Sequence, residues 1–169
     1  MDTSLIPSDE HLHALAQTLA EALTERREML VAAESCTGGW IAKVLTDLPG
    51  SSAWFECGVV AYSYEAKEAL LGVHPHTLVR HGAVSPETAI EMVSEALARF
   101  GATIAVAVTG IAGPSGGTDD KPVGTVWIAW KRRGGYAHAE VFRFDGDREA
   151  VRRQTVARAL EGIRKILTA

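Results

Sequence analysis

The chain has 169 residues, of which 47% are hydrophobic and 22% are charged, and its formal net charge is −4. These proportions are those of a globular chain with a substantial core, and they exclude an intrinsically disordered protein. The mild acidity argues against a general nucleic-acid-binding protein, although it leaves room for a local pocket that holds one phosphate.

The cysteine content and the lengths of the apolar runs further narrow the class of protein to which the chain can belong. Cys36 and Cys57 have no metal-site spacing and are too few for a disulfide scaffold, so we expect reduced thiols in a cytoplasmic protein. The N-terminal sequence MDTSLIPSDEHLH lacks the pattern of a signal peptide, and no apolar run approaches the ~20 residues that span a bilayer. Without repeats or linkers, residues 1–169 are expected to form a single domain, with residues 1–29 as an N-terminal helix packed on it.

The first half of the chain predicts alternating helices and strands. Leucines at helical spacing predict a helix over residues 8–27, with Ser8 as its N-cap. EMLVAAE predicts a buried strand that ends at Glu34, and TGGWIAKVLTDL predicts a helix entered directly from this strand and ended by Pro49 and Gly50. ECGVVAYS predicts a second strand and YEAKEALLG a short helix. A loose segment then carries His74, Pro75, His76 and His81.

The second half predicts a long helix, three strands and a final helix. In SPETAIEMVSEALARFG, Ser85 is the expected N-cap, Pro86 the first helical residue and Gly101 the end. TIAVAVTG predicts a strand buried on both faces, and GTVWIAW and YAHAEVFRF predict a hairpin around KRRGG. The last helix is expected to begin near Asp147. The predicted apolar faces are Ile90, Val93 and Leu97 in the long helix and Val151, Leu160, Ile163 and Leu167 in the last.

This order of elements predicts an α/β fold of three α/β/α layers around a mixed, mostly parallel sheet of five to six strands. In open α/β sheets, ligands bind beyond the carboxyl ends of the strands. Polar clusters follow three predicted strands, at residues 35–39, 62–67 and 109–117. We therefore expect these clusters to form one site.

Ser35 is a candidate nucleophile if a base lies beside it, although a serine before a helix is most often a cap. No histidine is well placed by pattern, and the G-x-S-x-G elbow is absent. Lys67 is the other candidate base, since desolvation beside a serine would remove its proton, but most such lysines are solvated charges. Tyr62 lies near the end of the predicted strand ECGVVAYS. It could orient the serine–lysine pair, or it could simply be an aromatic residue at a strand end.

The glycine-rich segment TGIAGPSGG, residues 109–117, and Arg148 are candidate anion-binding elements. The segment matches neither a P-loop nor G-x-G-x-x-G, but its glycines could present N–H groups to a phosphate or oxyanion. Arg148 opens the last helix, where an arginine can add a bidentate phosphate contact. The alternative interpretation is that the segment is only a mobile turn and that Arg148 is only a surface charge. Asp119, Asp120 and Lys121 are expected to form a solvated loop tip.

Four segments, AESCTGG, GVVAYSYEAKEALLGV, GAVSPETAIEM and AVAVTGIAGPSGGTDDKPVGTVWIA, together resemble the C-terminal domain of the competence/damage-inducible protein CinA. The match runs from about Leu30 to Ile166, and the fixed order of several motifs makes it specific. Stand-alone members of this family are nicotinamide-nucleotide amidases, so the resemblance implies hydrolysis of nicotinamide mononucleotide to nicotinic acid mononucleotide and ammonia. It implies a reaction without a metal or other cofactor and a homo-oligomer, either dimer or trimer. From the charge balance and the short apolar runs, we expect no nucleic-acid and no membrane partner.

Carried over residue by residue, the resemblance assigns Ser35 as nucleophile, Lys67 as base and Tyr62 as a third catalytic residue. Tyr64 stands where the family has Asn, which is expected to alter pocket shape more than chemistry. Backbone N–H groups of residues 36–39 would stabilise the oxyanion. The implied substrate-binding residues are Cys36, Thr37, Gly38, Gly39, Thr109, Gly110, Gly113, Gly116, Gly117 and Arg148.

Three other interpretations stay open. The first is a non-catalytic domain that binds a pyridine nucleotide or another phosphate ligand; Tyr64 leaves it open, and the retained Ser35 and Lys67 argue against it. The second is thiol chemistry at Cys36, beside the serine and at the same expected helix start. The third is a plain interaction domain in which TGIAGPSGG is only a loop.

Overall fold

The computed structural model describes residues 6–169, which form one five-stranded sheet covered by six α-helices. The helices are α1 (Asp9–Arg26), α2 (Trp40–Thr46), α3 (Tyr64–Leu71), α4 (Pro75–His81), α5 (Pro86–Arg99) and α6 (Arg148–Thr168). The strands are β1 (Leu30–Glu34), β2 (Phe55–Val60), β3 (Ile104–Gly110), β4 (Thr125–Arg132) and β5 (His138–Arg143). Residues 1–5, which belong to the expected N-terminal segment, lie outside the described range.

The sheet has the strand order β2-β1-β3-β4-β5. Strand β1 is parallel to β2 and β3, whereas β4 is antiparallel to β3 and β5. The predicted mixed sheet and the hairpin are confirmed: two of the four strand pairs are parallel and two are antiparallel, and β4 alone runs against the other four strands. A parallel connection needs a crossover, usually a helix. The segment between β3 and β4 contains no helix, so β4 returns antiparallel.

Side chains that alternate along the strands form two cores, one on each face of the sheet. Helices α1, α2 and α6 cover a face of large residues that includes Ile104, Val106 and Ile128. Helices α3, α4 and α5 cover the opposite face, where the central strands contribute mainly alanines, as at Ala105 and Ala107. The predicted three-layer architecture is therefore confirmed. In the described part of the chain, no helix has both the length and the apolar character needed to cross a membrane.

Two element boundaries differ from prediction near the expected site. Helix α2 begins at Trp40 rather than directly after β1, because Gly38 and Gly39 have φ angles of +60° and +96° that a helix cannot contain. The segment expected to be loose contains α4, with Pro75 at its start, where a missing N–H group costs no hydrogen bond.

Helix α5 buries two of its three predicted apolar residues, Val93 and Leu97, which are 0% and 7% exposed, but not the third. Ile90 is 37% exposed, whereas Met92 is fully buried. The helix turns its small residues, such as Ala89 and Ala96, inward. It ends with Phe100 as C-cap rather than at Gly101. The predicted caps Ser8 and Ser85 and the four predicted apolar residues of α6 are confirmed. The organisation of residues 1–169 as a single domain stays a prediction.

Candidate active site

The end of β1 sends two adjacent side chains to opposite faces of the sheet. The Glu34 carboxylate accepts hydrogen bonds from the backbone N–H groups of Ile41 and Ala42, at 2.9 and 3.0 Å, on the face that carries α2. The side chain of Ser35 lies on the face that carries α3, where its Oγ is 2.9 Å from Nζ of Lys67. The period of two along a strand thus separates a carboxylate from a serine–lysine pair.

Among the described residues, the amino group of Lys67 has three polar neighbours and no carboxylate partner. Its Nζ lies 2.9 Å from the Ala61 carbonyl oxygen and 3.2 Å from that of Tyr62, in addition to Ser35. Within residues 6–169, no carboxylate forms an ion pair with it. A neutral amine has two N–H bonds and one lone pair, and carbonyl oxygens can only accept. An ammonium group would donate to all three oxygens, whereas a neutral amine would donate to the two carbonyl oxygens and accept the hydroxyl proton of Ser35 with its lone pair.

Burial favours the neutral form of the Lys67 amino group over the ammonium form. Lys67 is only 1% exposed. Desolvation lowers the pKa of its ammonium group from 10.5 to about 8, and the neighbouring Cys36 opposes this shift to a smaller extent. Roughly a tenth of the molecules then carry the neutral amine at pH 7, which places Lys67 in the range of a general base.

Cys36, the alternative nucleophile, is held in the unreactive form. Its side chain is buried, and desolvation raises the pKa of the thiol to about 12, with a smaller increase from the charge of Glu34. Since the thiolate is the nucleophilic form, this environment argues against thiol chemistry. Both cysteines are free thiols, as predicted.

Residues 35–39, here called the nucleophile turn, connect β1 to α2. The N–H group of Gly38 donates to the carbonyl oxygen of Ser35 at 3.0 Å. The N–H groups of Cys36, Thr37 and Gly39 donate to no other residue within the described range. The Thr37 side chain is turned away from the serine, because its hydroxyl group donates to Glu34 at 2.6 Å. The turn therefore offers backbone N–H groups beside Ser35.

The start of α6 joins two further predicted site residues. The Arg148 guanidinium donates to the carbonyl oxygen of Gly113 at 2.7 Å and to the hydroxyl oxygen of Tyr62 at 3.0 Å. The side chain of Tyr62 is 59% exposed, while its carbonyl oxygen contacts Lys67. These contacts place an arginine and an aromatic ring at the solvent-facing side of the serine–lysine pair.

Thr109 stands in the strand next to Ser35 and is engaged by a loop. The backbone N–H of Ser35 donates to the carbonyl oxygen of Val108, so Thr109 is adjacent to the serine in register. Thr109 is buried, and its hydroxyl group donates to the Ala83 carbonyl oxygen at 2.8 Å. The Ala83 N–H in turn donates to the hydroxyl oxygen of Tyr64 at 3.2 Å. Tyr64 thus braces the wall of the site and does not contact Lys67 through a hydrogen bond.

The glycine-rich loop, residues 111–124, is only partly drawn into the site. Gly113 is buried and bound to Arg148, whereas Gly116 and Gly117 are exposed further along the loop; Gly110 ends β3. The expected solvated tip is correct for Asp119 and Asp120, which are exposed. It is wrong for Lys121, which is half-buried because its amino group donates to the His81 carbonyl oxygen at 3.0 Å.

The sequence analysis missed Arg152 and assigned Glu34 no role. Arg152 lies one helical turn after Arg148, and it donates to the carbonyl oxygens of Cys36 at 3.1 Å and Thr37 at 2.8 Å. The spacing of four residues from a predicted site residue on a helix was the available signal. Within residues 6–169, no group of three or more His, Cys, Asp or Glu side chains is arranged to hold a metal ion.

The fold and this geometry define an α/β/α protein with a buried serine–lysine pair at the carboxyl edge of its sheet. Residues 12–167 match the family model described as "CinA C-terminal domain". The chain belongs to this family.

Two relatives and one solved structure illustrate the similarity. The chain is 50% identical to "Nicotinamide-nucleotide amidohydrolase PncC" of Escherichia coli (strain K12), over 91% of this chain and 93% of that protein. It is 52% identical to a protein of the same name from Pseudomonas putida, over 91% of this chain and 96% of that protein. A competence/damage-inducible protein from Agrobacterium tumefaciens has a similar crystal structure, with a TM-score of 0.90, 44% identity and coverage of 97% and 98% of the two chains.

Proposed function

We propose that the protein is a nicotinamide-nucleotide amidohydrolase, which converts nicotinamide mononucleotide and water to nicotinic acid mononucleotide and ammonia. The observation that carries the proposal is the buried contact of 2.9 Å between Nζ of Lys67 and Oγ of Ser35. The substrate is supported by relatives of that name that are 50% and 52% identical over 91% of the chain.

In the first step, neutral Lys67 takes the hydroxyl proton of Ser35 while Oγ forms a bond to the carboxamide carbon. The electron pair of the C=O double bond moves to the oxygen, which becomes an oxyanion. The N–H groups of Cys36, Thr37 and Gly39 are the nearest donors that make no hydrogen bond to another described residue. Losing one such donor typically costs about 3 kcal/mol of transition-state stabilisation.

In the second step, the oxyanion reforms the carbonyl group and the C–N bond breaks. Protonated Lys67 gives its proton to the departing nitrogen, which leaves as ammonia, and Ser35 carries a nicotinoyl ester. Lys67 is then neutral again and takes a proton from a water molecule that attacks the ester carbon. When the C–Oγ bond breaks, this proton returns to Ser35, which completes the cycle without another co-reactant.

The substrate phosphate is assigned to Arg148 and the glycine-rich loop, with Thr109, Gly110, Gly113, Gly116 and Gly117 forming that side of the site. Within residues 6–169, Arg148 donates two hydrogen bonds, to Gly113 and Tyr62, and a guanidinium has five N–H donors. The remaining donors are available to an anion. Tyr62 is assigned to orienting Lys67 through its carbonyl group and Arg148 through its hydroxyl group.

The same proposal includes a cytoplasmic location and a homo-oligomer, dimer or trimer. The two free thiols support the location, and the family resemblance supports the oligomer. Light scattering during size-exclusion chromatography measures the mass directly; a species of about 18.1 kDa, the mass of one chain, would contradict the oligomer without affecting the proposed reaction.

The test is to incubate the purified protein with nicotinamide mononucleotide and to quantify both products. We expect equal amounts of ammonia and nicotinic acid mononucleotide, with S35A and K67A reduced at least about a thousand-fold and C36S within a few-fold of wild type. An inert protein that the nucleotide nevertheless stabilises against heat would be a non-catalytic binding domain. An inert protein that no pyridine nucleotide stabilises would favour an interaction domain.

A further inference from the structure

We infer that Arg152 is a positioning residue that fixes the nucleophile turn so that its N–H groups face the reacting carbonyl oxygen; the inference rests on the proposed function. Arg152 Nε is 3.1 Å from the carbonyl oxygen of Cys36, and Nη2 is 2.8 Å from that of Thr37. One planar guanidinium thus holds two consecutive peptide groups of the turn.

The planarity of the peptide bond converts this hold into an orientation of donors. In a trans peptide, the C=O of one residue and the N–H of the next point in opposite directions. The Cys36 carbonyl group points at Arg152, so the N–H of Thr37 points away from α6. That N–H has no acceptor within residues 6–169 and lies two residues after Ser35. A fixed Cys36 carbonyl group therefore fixes a free donor beside the nucleophile.

The charge of Arg152 strengthens the same donor. Among the described residues, Arg152 forms no ion pair with a carboxylate, so its guanidinium charge is directed at the two carbonyl oxygens. A carbonyl group that accepts a charged hydrogen bond is polarised, and hydrogen bonds in such a chain reinforce one another. The N–H of Thr37 is consequently a better donor than that of an ordinary exposed turn.

The surroundings of Arg152 make it rigid. Its guanidinium carbon lies 5.1 Å from the ring centre of Trp40, the first residue of α2. It projects from α6, a helix of 21 residues whose inner face is buried in the core. Arg152 thus connects the carbonyl oxygens of the turn to a long, well-packed helix. This connection holds the backbone N–H groups of the turn in a constant geometry.

The neighbouring Arg153 provides a matched control. Its guanidinium carbon lies 5.0 Å from the same Trp40 ring, on the same helix. It bonds to Asp9, Glu149 and the Pro7 carbonyl oxygen instead of the nucleophile turn. Replacing Arg153 therefore removes comparable packing and one positive charge without releasing the turn.

The experiment compares steady-state hydrolysis of nicotinamide mononucleotide by wild type, R152M, R152K and R153M, with thermal unfolding as the check on folding. We expect R152M to lower kcat about 10- to 100-fold with KM changed less than about two-fold, since the lost effect is confined to the transition state. R152K, which can serve one carbonyl but not both, should lose about three- to ten-fold. R153M should keep kcat within about two-fold.

Chemical rescue gives a readout that a purely structural role would not move. Guanidinium ion at low millimolar concentration should restore part of kcat to R152A but not to K67A, and an equal concentration of sodium chloride should restore none. If R152M does not fold, R152K with its unchanged KM and reduced kcat carries the test.

The inference is overturned if folded R152M keeps kcat within two-fold, if its loss is entirely in KM, or if R153M loses as much as R152M. A loss in KM would instead make Arg152 a substrate-binding residue. Failure of the proposed function is distinguishable, because wild type itself would then release no ammonia.

Discussion

The nucleophile turn and the glycine-rich loop both follow a central strand of one sheet, yet they are held very differently. In the turn, Ser35 and Thr37 are buried, and hydrogen bonds from Arg152 and to Glu34 fix both the carbonyl groups and a side chain. In the loop, residues 114–120 are exposed, and the fixed points lie near its ends.

In the proposed mechanism, this difference separates bond-making from substrate binding. Bond-making tolerates little displacement, so its groups sit on strand ends and a helix, where the core fixes them. Substrate recognition in the proposed site is assigned to an exposed loop tied down at Gly113 by Arg148. Changes in the turn should therefore lower kcat, and changes in the loop should raise KM.

The pH dependence of the rate should show the largest effect, and it tests the role of the buried Lys67 beside the nucleophile turn. Because burial lowers the pKa of Lys67 to about 8, the fraction of neutral base rises about 50-fold between pH 6 and pH 8. We expect kcat/KM to rise by a similar factor and to level off above the pKa. A flat profile over this range would contradict a lysine base.

Replacement of matched glycines in the two regions should show the next effect. Gly39 and Gly116 have φ angles of +96° and +92°, so alanine is strained at either position. A Cβ on Gly39 meets nothing closer than 3.5 Å, so its effect acts through the backbone. We expect Gly39→Ala to lower kcat about ten-fold or more, and Gly116→Ala to raise KM by up to about three-fold with kcat unchanged.

This glycine pair is measured by steady-state kinetics alongside thermal unfolding, so that loss of folded protein is not counted as loss of rate. Equal losses of kcat in both variants would show that the loop is as tightly coupled to bond-making as the turn, and the proposed separation of tasks would be wrong.

Replacement of Arg148 should have the smallest effect, confined to binding. We expect Arg148→Met to raise KM about five- to ten-fold with kcat within about three-fold, because the phosphate would lose its cation and the loop its contact at Gly113. Arg164→Met, an exposed arginine on the same helix, is the control and should leave both constants unchanged. A fall in kcat at constant KM would move Arg148 from binding to bond-making.

Sequence patterns predicted the elements well where a single local rule applies. The apolar run of β1 and the spacing in α6 required no knowledge of partners. The caps follow a local rule, since the side chains of Ser8 and Ser85 accept hydrogen bonds from N–H groups three residues later. In α5, Val93 and Leu97 are buried as predicted and only Ile90 was wrong, because the exact face depends on the alanine surface of the opposing sheet, which no local pattern reveals.

The site divides in the same way. Ser35 and Lys67 were assigned from motif resemblance, and the structure brings them to 2.9 Å, whereas their catalytic roles stay predictions. Arg152 was missed because the carbonyl groups that it contacts lie 115 and 116 residues away in sequence. The start of α2 was misplaced because two left-handed glycines interrupt an otherwise helical pattern.

The central claim is a covalent ester on Ser35, and mass spectrometry of the quenched reaction tests it most directly. Wild-type protein mixed with nicotinamide mononucleotide, stopped in acid within the first turnovers and digested should yield a peptide with the nicotinoyl nucleotide bound to Ser35. S35A should yield none. An adduct on Cys36 would contradict the serine–lysine mechanism. So would an active enzyme that forms no adduct at any time and accumulates product without a burst, because water would then attack the substrate directly.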